Sequence, residues 1–286
     1  MILSCILAAA LVFTPEDAAA AFDLTGKFVA ECTPRDAGTI RGAMAATWLL
    51  GKASVAGADV YRDRFTAVTP SGERRFVNLH CSFERRPDAP WTVLVSHFDT
   101  KPGTGCPGAN DGASTSCLLV RLAGILHDAR DLDRNVMLIW TDAEECSGEH
   151  YADNDGFQGS KRAAARLKEL KIDVEAVYVL DMLGDADLGI SIPANGSAAL
   201  ADRVLAAAAA SGLAKGKVRR IGFNVLDDHV AFLDAGFPAV DLIDFEYGSA
   251  AGHNDYWHTS MDTVDRLSAD SFLAVGRLVC GLLERK

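Results

Sequence analysis

The sequence predicts a single-domain, three-layer α/β/α fold around a central, mostly parallel mixed sheet. Short apolar segments alternate with longer amphipathic segments from residue 91 onward, a pattern typical of parallel strands connected by helices. The chain has 286 residues, of which 49% are hydrophobic, and this is sufficient for one large core. No repeat and no Pro/Ser-rich linker divides the sequence, so we expect one domain over residues 22–286.

The first residues have the pattern of a secretion signal. An apolar run, Ile2 to Phe13, precedes a stretch of small residues, which is the order of the hydrophobic region and the cleavage site of a signal peptide. The run is too short to cross a bilayer. We therefore predict a signal peptide over residues 1–21, a secreted or periplasmic location and no stable membrane span. A buried N-terminal segment is the alternative, because no Lys or Arg precedes the run.

A helix and two strands are predicted before the alternating region. Residues 36–50 have the periodicity of a helix, and residues 60–68 and 75–83 have that of strands. Pro70, Ser71 and Gly72 separate the two strands and favour a turn. We therefore expect a hairpin at the edge of the sheet.

The alternating region completes the sheet and its helices. Strands are predicted at residues 91–96, 136–141, 176–180 and 239–245, and helices at residues 113–127, 160–170, 198–210, 228–235 and 268–284. Strands connected in this way run parallel and are covered by helices on both faces. Their carboxyl ends meet at one edge of the sheet, where α/β proteins hold their active sites.

The charge and the cysteines exclude two classes of function. A formal net charge of −11 would repel a phosphate backbone, so we expect no nucleic-acid partner. There is no Cys-x-x-Cys and no Cys/His cluster at zinc-finger spacing, which excludes a closed structural zinc site. Removal of residues 1–21 would leave six cysteines, whose pairing the sequence leaves open.

Histidine and acidic residues follow several of the predicted strands. They are His97, Asp99, Asp111, Glu144, Glu145, Asp181 and His258. Because the strand ends converge, we expect these side chains to line one edge of the sheet. Carboxylate and imidazole groups are the ligands of catalytic zinc sites, so the pattern predicts a zinc-dependent hydrolase or transferase.

The first three of these residues each have a structural alternative. His97 and Asp99 point to the same side of their strand, so one can bind a metal while the other orients it. Asp111 lies in a glycine-rich turn, residues 107–114, that leads into an apolar helix. Core hydrogen bonding is the alternative for the pair, and helix capping is the alternative for Asp111.

Glu144 and Glu145 are adjacent carboxylates at the end of a strand. Their side chains point in different directions, so one can bind a metal while the other carries a proton. A solvated loop is the structural alternative.

Asp181 follows an apolar strand segment, and a carboxylate on a buried strand requires a partner. A purely structural role is therefore harder to assign to Asp181 than a role in a metal or catalytic site.

The motifs that carry these residues resemble those of the zinc aminopeptidase and glutaminyl cyclase family. They are HFD at 97–99, GANDGAS at 108–114, DAEE at 142–145, VLDMLGD at 179–185, DDHVAFLDAGFPAV at 227–240 and WHTSMDT at 257–263. The resemblance extends from residue 91 to the C-terminus and implies a zinc-exopeptidase-like fold. It implies that Asp111, Glu145 and His258 bind zinc and that Glu144 is the general acid/base.

The resemblance leaves one or two zinc ions open. In the aminopeptidases of this family, a second zinc is bound at the positions of His97 and Asp181, and the residue at the position of Asp111 bridges the two ions. All five ligand positions are occupied by the same residue types here. The ligands alone therefore do not separate the two branches of the family.

Three features favour the glutaminyl cyclase branch. Thirteen residues separate Glu145 from Gly159, whereas the aminopeptidases usually reach the equivalent glycine in far fewer. Asp227 occupies a position where aminopeptidases commonly have Ser, and Trp257 fits the wall of a cyclase substrate pocket. As a departure from the cyclase pattern, the loop lacks the tryptophan that animal cyclases place there.

The resemblance therefore implies a glutaminyl-peptide cyclotransferase acting on peptide or protein N-termini. Such an enzyme converts N-terminal glutamine into pyroglutamate and releases ammonia. Glu144 would carry the proton, and Asp181 and Asp227 would form an acidic hydrogen-bonded network with it. A di-zinc aminopeptidase is the alternative. The intact ligand set disfavours a non-catalytic binding module, and the lack of G-x-S-x-G disfavours a serine hydrolase.

Overall fold

The computed structural model describes residues 11–284, and its first element is a helix that the sequence did not predict. This helix, α1, spans Pro15–Cys32. Thr14 precedes it and exchanges hydrogen bonds with Asp17, so that each residue's side chain binds the other's backbone N–H. This reciprocal capping satisfies amide groups that a helix end would otherwise leave unpaired.

The start of α1 overlaps the predicted signal peptide. Phe13, Ala18 and Ala21 are buried in the core, and the ring of Phe13 packs directly on Gly276. Residues 1–10 lie outside the described residues, so the signal peptide over residues 1–21 stays a prediction. If cleavage occurred after residue 21, it would remove these buried contacts.

Strands of the described chain form one mixed sheet. In chain order they are β1 (Val60–Thr69), β2 (Gly72–Phe83), β3 (Trp91–His97), β4 (Asn135–Thr141), β5 (Val174–Asp181), β6 (Ile190–Ile192), β7 (Val218–Arg220) and β8 (Ala239–Ile243). Their order across the sheet is β1-β2-β4-β3-β5-β8-β6-β7. The central strands β4, β3, β5 and β8 run parallel, and the β1–β2 hairpin lies at one edge. The predicted edge hairpin is confirmed.

The register aligns the carboxyl ends of the central strands. His97 at the end of β3 pairs with Thr141 at the end of β4. Asp181 at the end of β5 pairs with Ile243 at the end of β8. The loops that follow these strands therefore emerge at one edge of the sheet, as parallel connections require.

Helices cover both faces of the sheet. After α1 they are α2 (Ile40–Val55), α3 (Thr115–Asp128), α4 (Gln158–Glu169), α5 (Ala198–Ser211), α6 (Asp228–Asp234) and α7 (Ala269–Leu283). The larger core lies between one face and α1, α2, α3, α5 and α7, and the smaller core lies between the other face and α4 and α6. This arrangement confirms the predicted three-layer α/β/α fold.

Two details differ from the prediction. β6 and β7 have three residues each, which is too short to show an alternating pattern, and they extend the sheet beyond β8. α2 begins at Ile40 rather than at residue 36. It begins there because the side chain of Thr39 accepts a hydrogen bond from the N–H of Gly42 and caps the helix.

The cysteines of the described chain are unpaired. Cys32, Cys81, Cys106, Cys117, Cys146 and Cys280 are all buried, and none forms a disulfide within residues 11–284. Within the same range, no helix combines the length and the apolar character needed to cross a membrane.

Candidate active site

Seven histidine and acidic side chains converge at the carboxyl edge of the sheet. They are His97, Asp99, Asp111, Glu144, Glu145, Asp181 and His258. Six of the seven are buried, and His258 is partly exposed. Because buried carboxylates require a counter-charge or hydrogen bonds, this arrangement demands partners for each of them.

Two groups of three ligand atoms share Asp111. We call Asp111, Glu145 and His258 the first triad, and His97, Asp111 and Asp181 the second triad. In the first triad, Nε2 of His258 lies 3.0 Å from Oε1 of Glu145 and 3.4 Å from Oδ2 of Asp111. In the second triad, Nε2 of His97 lies 3.0 Å from Oδ1 of Asp111 and 3.1 Å from Oδ1 of Asp181.

The first triad fits a zinc ion. Oδ2 of Asp111 and both carboxylate oxygens of Glu145 are buried and have no hydrogen-bond partner among the described residues. The ring nitrogen of His258 lies close to one oxygen of each carboxylate. Two carboxylates and one imidazole therefore converge on one point, and three protein ligands is the number that a catalytic zinc site uses.

Protons on the first triad compensate its charges when no cation is bound. Burial lowers the pKa of His258, but its contacts with Asp111 and Glu145 outweigh that effect and raise the pKa to about 9. Burial and the nearby charge of Asp111 raise the pKa of Glu145 to about 7. Zinc would have to displace these protons, because it binds the deprotonated ligands.

Asp111 lies in a tight turn and does not act as a helix cap. The adjacent Gly112 has a φ of +84°, and a Cβ atom there would lie 2.8 Å from Cε1 of His97. α3 begins after Ser114, and the carboxylate of Asp111 faces His97 and His258. The capping alternative for Asp111 therefore does not describe the structure.

Asp99 orients residues of both triads. Its two carboxylate oxygens accept hydrogen bonds from the backbone N–H groups of Glu144 and Glu145, both at 3.1 Å. Oδ1 of Asp99 also lies 3.5 Å from Nδ1 of His97. Asp99 thus holds the glutamate pair against the end of β3. Residues that hydrogen-bond to metal ligands commonly orient them in this way.

The thirteen-residue loop after Glu145 returns to the site through Tyr151. The Tyr151 hydroxyl donates a 2.8 Å hydrogen bond to Oε1 of Glu144. The Tyr151 ring stacks on Phe157, with centroids 4.2 Å apart. Asp155 closes the loop on itself by accepting hydrogen bonds from residues 147–148. Tyr151 is therefore held in place from both ends of the loop.

Asp181 and Asp227 add two carboxyl groups to the cavity that contains Glu144. Asp227 precedes α6 and accepts a hydrogen bond from the next backbone N–H. Burial, and then the charges of Glu145 and Asp227, raise the pKa of Glu144 well above its usual range. The hydrogen-bonded network predicted for Glu144, Asp181 and Asp227 stays a prediction.

The first triad opens into a cavity of about 300 Å³ with aromatic walls. Phe223, Phe245 and Trp257 line it, and Trp257 is the pocket residue predicted from the sequence. The Trp257 ring stacks on that of His258, with centroids 3.9 Å apart. His258 itself has a φ of +58°, a backbone conformation that non-glycine residues rarely adopt. The stacked ring and the triad hold His258 in this conformation.

Two residues of the site were not assigned a role from the sequence. One is Tyr151, for which the only signal was an aromatic side chain in the long loop. The other is Asp262, whose carboxylate accepts hydrogen bonds from the backbone N–H groups of Asn110 and Asp111 at 2.7 and 3.2 Å. It lies within the WHTSMDT motif, but the motif does not reveal that it binds the turn carrying Asp111.

The sequence matches one family model, that of Peptidase family M28, over residues 78–283. This range contains every residue of both triads. No curated protein matches the chain.

Several solved structures resemble the chain over nearly its whole length. A glutaminyl cyclase from an Acidobacteriales bacterium is 29% identical, with a TM-score of 0.86 and 93% of each chain covered. The glutaminyl cyclase of Porphyromonas gingivalis is 27% identical, with a TM-score of 0.82, and the match covers 96% of this chain and 99% of that one. A Zn-dependent exopeptidase from Parabacteroides distasonis shares the fold, with 22% identity and a TM-score of 0.82. The match covers 94% of this chain and 98% of that one.

Proposed function

The chain belongs to Peptidase family M28, and from that premise we propose that it is a zinc-dependent glutaminyl-peptide cyclotransferase. It would convert the N-terminal glutamine of a peptide or protein into pyroglutamate and release ammonia. The proposal is supported by the similarity to two glutaminyl cyclases at 29% and 27% identity, each covering more than nine-tenths of both chains.

The observation that carries the proposal is the hydrogen bond from Tyr151 to Glu144. Tyr151 belongs to the long loop after Glu145, which resembles the cyclase form. The bond occupies Oε1 of Glu144 and leaves Oε2 to face the cavity. A carboxyl group fixed in this way is oriented to move one proton between two substrate nitrogens.

The cavity suits a single side chain at a peptide N-terminus. Its volume of about 300 Å³ is at the small end of ligand sites. The walls from Phe223, Phe245 and Trp257 can pack against the methylene groups of glutamine. The carboxyl groups of Glu144, Asp181 and Asp227 at its floor can accept hydrogen bonds from an α-amino group.

The reaction is an intramolecular substitution at the γ-carbonyl carbon. The chemistry expected from a zinc ion bound by Asp111, Glu145 and His258 is polarisation of the γ-carbonyl oxygen. The α-nitrogen forms a bond to the γ-carbonyl carbon, and the bond from that carbon to the amide nitrogen breaks. Glu144 accepts a proton from the α-nitrogen and donates it to the departing amide nitrogen, which leaves as ammonia. No water is consumed.

Two roles follow for the remaining residues. Trp257 packs against the substrate chain while its contact with His258 keeps that ring in place. We assign one zinc ion to the first triad, because both oxygens of Glu145 lack a hydrogen-bond partner among the described residues and His258 borders the cavity. Asp181 then lies with Asp227 as a neighbouring carboxyl group in the cavity of Glu144.

A di-zinc aminopeptidase is the second candidate, because the second triad is complete. In that enzyme Glu144 would activate a water molecule, and the first peptide bond would be cut. The two candidates therefore differ in their products from the same substrate.

Mass spectrometry of a peptide with N-terminal glutamine tests the proposal. After incubation with the zinc-loaded protein, we expect loss of ammonia with the residue retained. The variant Glu144→Gln should be slower by roughly 10²- to 10⁴-fold, because general acid/base catalysis contributes that much, and it should keep its zinc. Glu149→Gln, an exposed glutamate in the same region, is the matched control and should keep full activity. Loss of the whole glutamine residue would contradict the cyclase and support the aminopeptidase.

A further inference from the structure

Arg35 is a fully buried arginine beside the site, and it lies outside the region matched by the family model. It is in the connection between α1 and α2. Its guanidinium group donates hydrogen bonds to four backbone carbonyl groups. The central carbon of the guanidinium, Cζ, lies 5.0 Å from the ring centroid of Phe28. Placing a charge in the core costs free energy unless its donors are satisfied, so such a residue requires an explanation.

The four carbonyl groups belong to the two segments that carry Asp111 and His97. Nε of Arg35 binds the carbonyl of Phe98, which lies between His97 and Asp99, at 2.5 Å. The two terminal nitrogens bind the carbonyls of Pro107, Gly108 and Asp111 at 2.8, 2.6 and 3.1 Å. One rigid, planar group therefore sets the distance between the end of β3 and the turn of Asp111.

The backbone of Asp111 is bound from both sides. Its carbonyl accepts from Arg35 and its N–H donates to Asp262. Burial lowers the pKa of Arg35, and the charges of Asp262 and Asp111 oppose that effect without reversing it. With both backbone groups bound, the carboxylate of Asp111 can turn only about its own side-chain bonds.

We propose that Arg35 is a positioning residue of the metal site: it holds Asp111, the ligand shared by both triads, in the orientation that binds the ion. This inference rests on the metal site of the proposed function and is independent of whether the product is pyroglutamate or a released residue. Partners that orient metal ligands contribute roughly 10- to 100-fold to metal affinity, which sets the expected effect.

The chain offers a matched control in Arg41. Arg41 also binds backbone carbonyls of the same connection, those of Thr33 and Pro34, but it is exposed and its hydrogen bonds do not reach the turn of Asp111. A variant of Arg41 therefore disturbs the same connection without disturbing the ligand.

The test compares Arg35→Lys with Arg41→Lys in the full-length protein. Lysine keeps the charge but has a single ammonium group, which cannot reach four carbonyls arranged around a planar fork. Zinc affinity is measured by competition with a chromogenic chelator, and the thermal midpoint of unfolding is measured on the metal-free protein. We expect the zinc dissociation constant of Arg35→Lys to rise roughly 10- to 100-fold, and that of Arg41→Lys to stay within about twofold of the wild type.

A second pair of variants covers the case in which Arg35→Lys does not fold. In Gly108→Ala, the new Cβ atom would lie 2.6 Å from Nη2 of Arg35 and 2.8 Å from the carbonyl oxygen of Asp111. Gly105→Ala is its control, because Gly105 also has a positive φ, +69°, but nothing lies within 4 Å of the added atom. Zinc affinity should fall for Gly108→Ala by more than for Gly105→Ala.

The outcomes separate the inference from the proposed function. Unchanged zinc affinity in Arg35→Lys, or a lower thermal midpoint of the metal-free protein without a change in affinity, would mean that Arg35 is structural only and would overturn the inference. A wild-type protein that binds no zinc would overturn the metal site itself, and the inference with it.

Discussion

The two triads share Asp111 but differ in how their remaining atoms are satisfied. In the second triad, His97 and Asp181 are joined by a hydrogen bond of 3.1 Å, while the other ring nitrogen of His97 lies 3.5 Å from Asp99 and has no hydrogen bond within the described chain. In the first triad, both oxygens of Glu145 and Oδ2 of Asp111 have no hydrogen-bond partner among residues 11–284, and Glu145 has only ion-pair contacts, with His258 at 3.0 Å and Lys101 at 3.8 Å. The first triad also borders the cavity through His258, whose side chain is 19% exposed, against 2% for His97.

This difference supports the proposal that the first triad binds the cation. An acceptor atom that is buried without a partner carries the full penalty of its desolvation, and a bound metal ion removes that penalty. The second triad has a hydrogen bond that can serve in place of an ion. The comparison therefore supports our proposal that the catalytic ion binds the first triad and that the second has a supporting role.

The largest expected effect distinguishes His258→Ala from His97→Ala. Removing His258 takes one of three ligands from the first triad, so we expect zinc to be lost on dialysis. Activity should fall on the order of 10³-fold or more, because metal polarisation contributes several kcal/mol. His97→Ala should retain one zinc ion per chain, since it leaves the first triad intact. Zinc per chain is measured by elemental mass spectrometry alongside turnover.

Two patterns of metal content would contradict these expectations. Two ions in the wild type and one in His97→Ala would reverse the assignment of a supporting role to the second triad and favour the aminopeptidase. Full zinc content in His258→Ala would show that the first triad is not the site. His253→Ala, at an exposed histidine in the same loop, should behave as the wild type.

The sequence could predict the two triads because each ligand follows a strand or lies in a recognisable motif. His97 and Asp181 end strands whose buried residues read as continuous apolar runs, so their position at the carboxyl edge follows from the alternating pattern. Asp111, Glu145 and His258 lie in turns and loops, and their convergence was implied by the resemblance to a family.

The parts that hold the ligands could not be predicted, because they depend on contacts between distant segments. Arg35 and Asp111 are 76 residues apart, and Asp262 is 151 residues from Asp111. No periodicity in the sequence records such a pair. α1 was missed for another reason: its alanine-rich start has the composition of a signal-peptide cleavage region as well as that of a helix.

A smaller effect is expected from Tyr151→Phe. The change removes the hydroxyl that binds Glu144 but keeps the ring that stacks on Phe157. A hydrogen bond to a carboxylate contributes about 1.5–3 kcal/mol in the state in which Glu144 has given up its proton, so we expect kcat to fall roughly 10- to 100-fold. Zinc content should stay at the wild-type level, because Glu144 belongs to neither triad.

Tyr61→Phe is the control for this variant, since Tyr61 is exposed on β1 and far along the chain from the loop. If Tyr151→Phe changed KM but left kcat intact, Tyr151 would be a wall of the cavity and not a partner of Glu144. That result would also weaken the argument for the cyclase, which depends on this contact.

The most gradual expected effect is a pH dependence of zinc affinity that belongs to the first triad. In the metal-free protein, contacts with Asp111 and Glu145 raise the pKa of His258 to about 9, and burial with the charge of Asp111 raises that of Glu145 to about 7. Zinc binds only after both groups lose their protons, so affinity increases with pH. From about pH 7 to pH 9 one proton is displaced, and we expect about a tenfold gain per pH unit. An unperturbed histidine, with a pKa of about 6.5, would give a plateau above pH 7. Competition with a chelator at several pH values distinguishes the two cases. A plateau of zinc affinity above about pH 7 would mean that the ion does not bind through His258 in contact with Asp111 and Glu145.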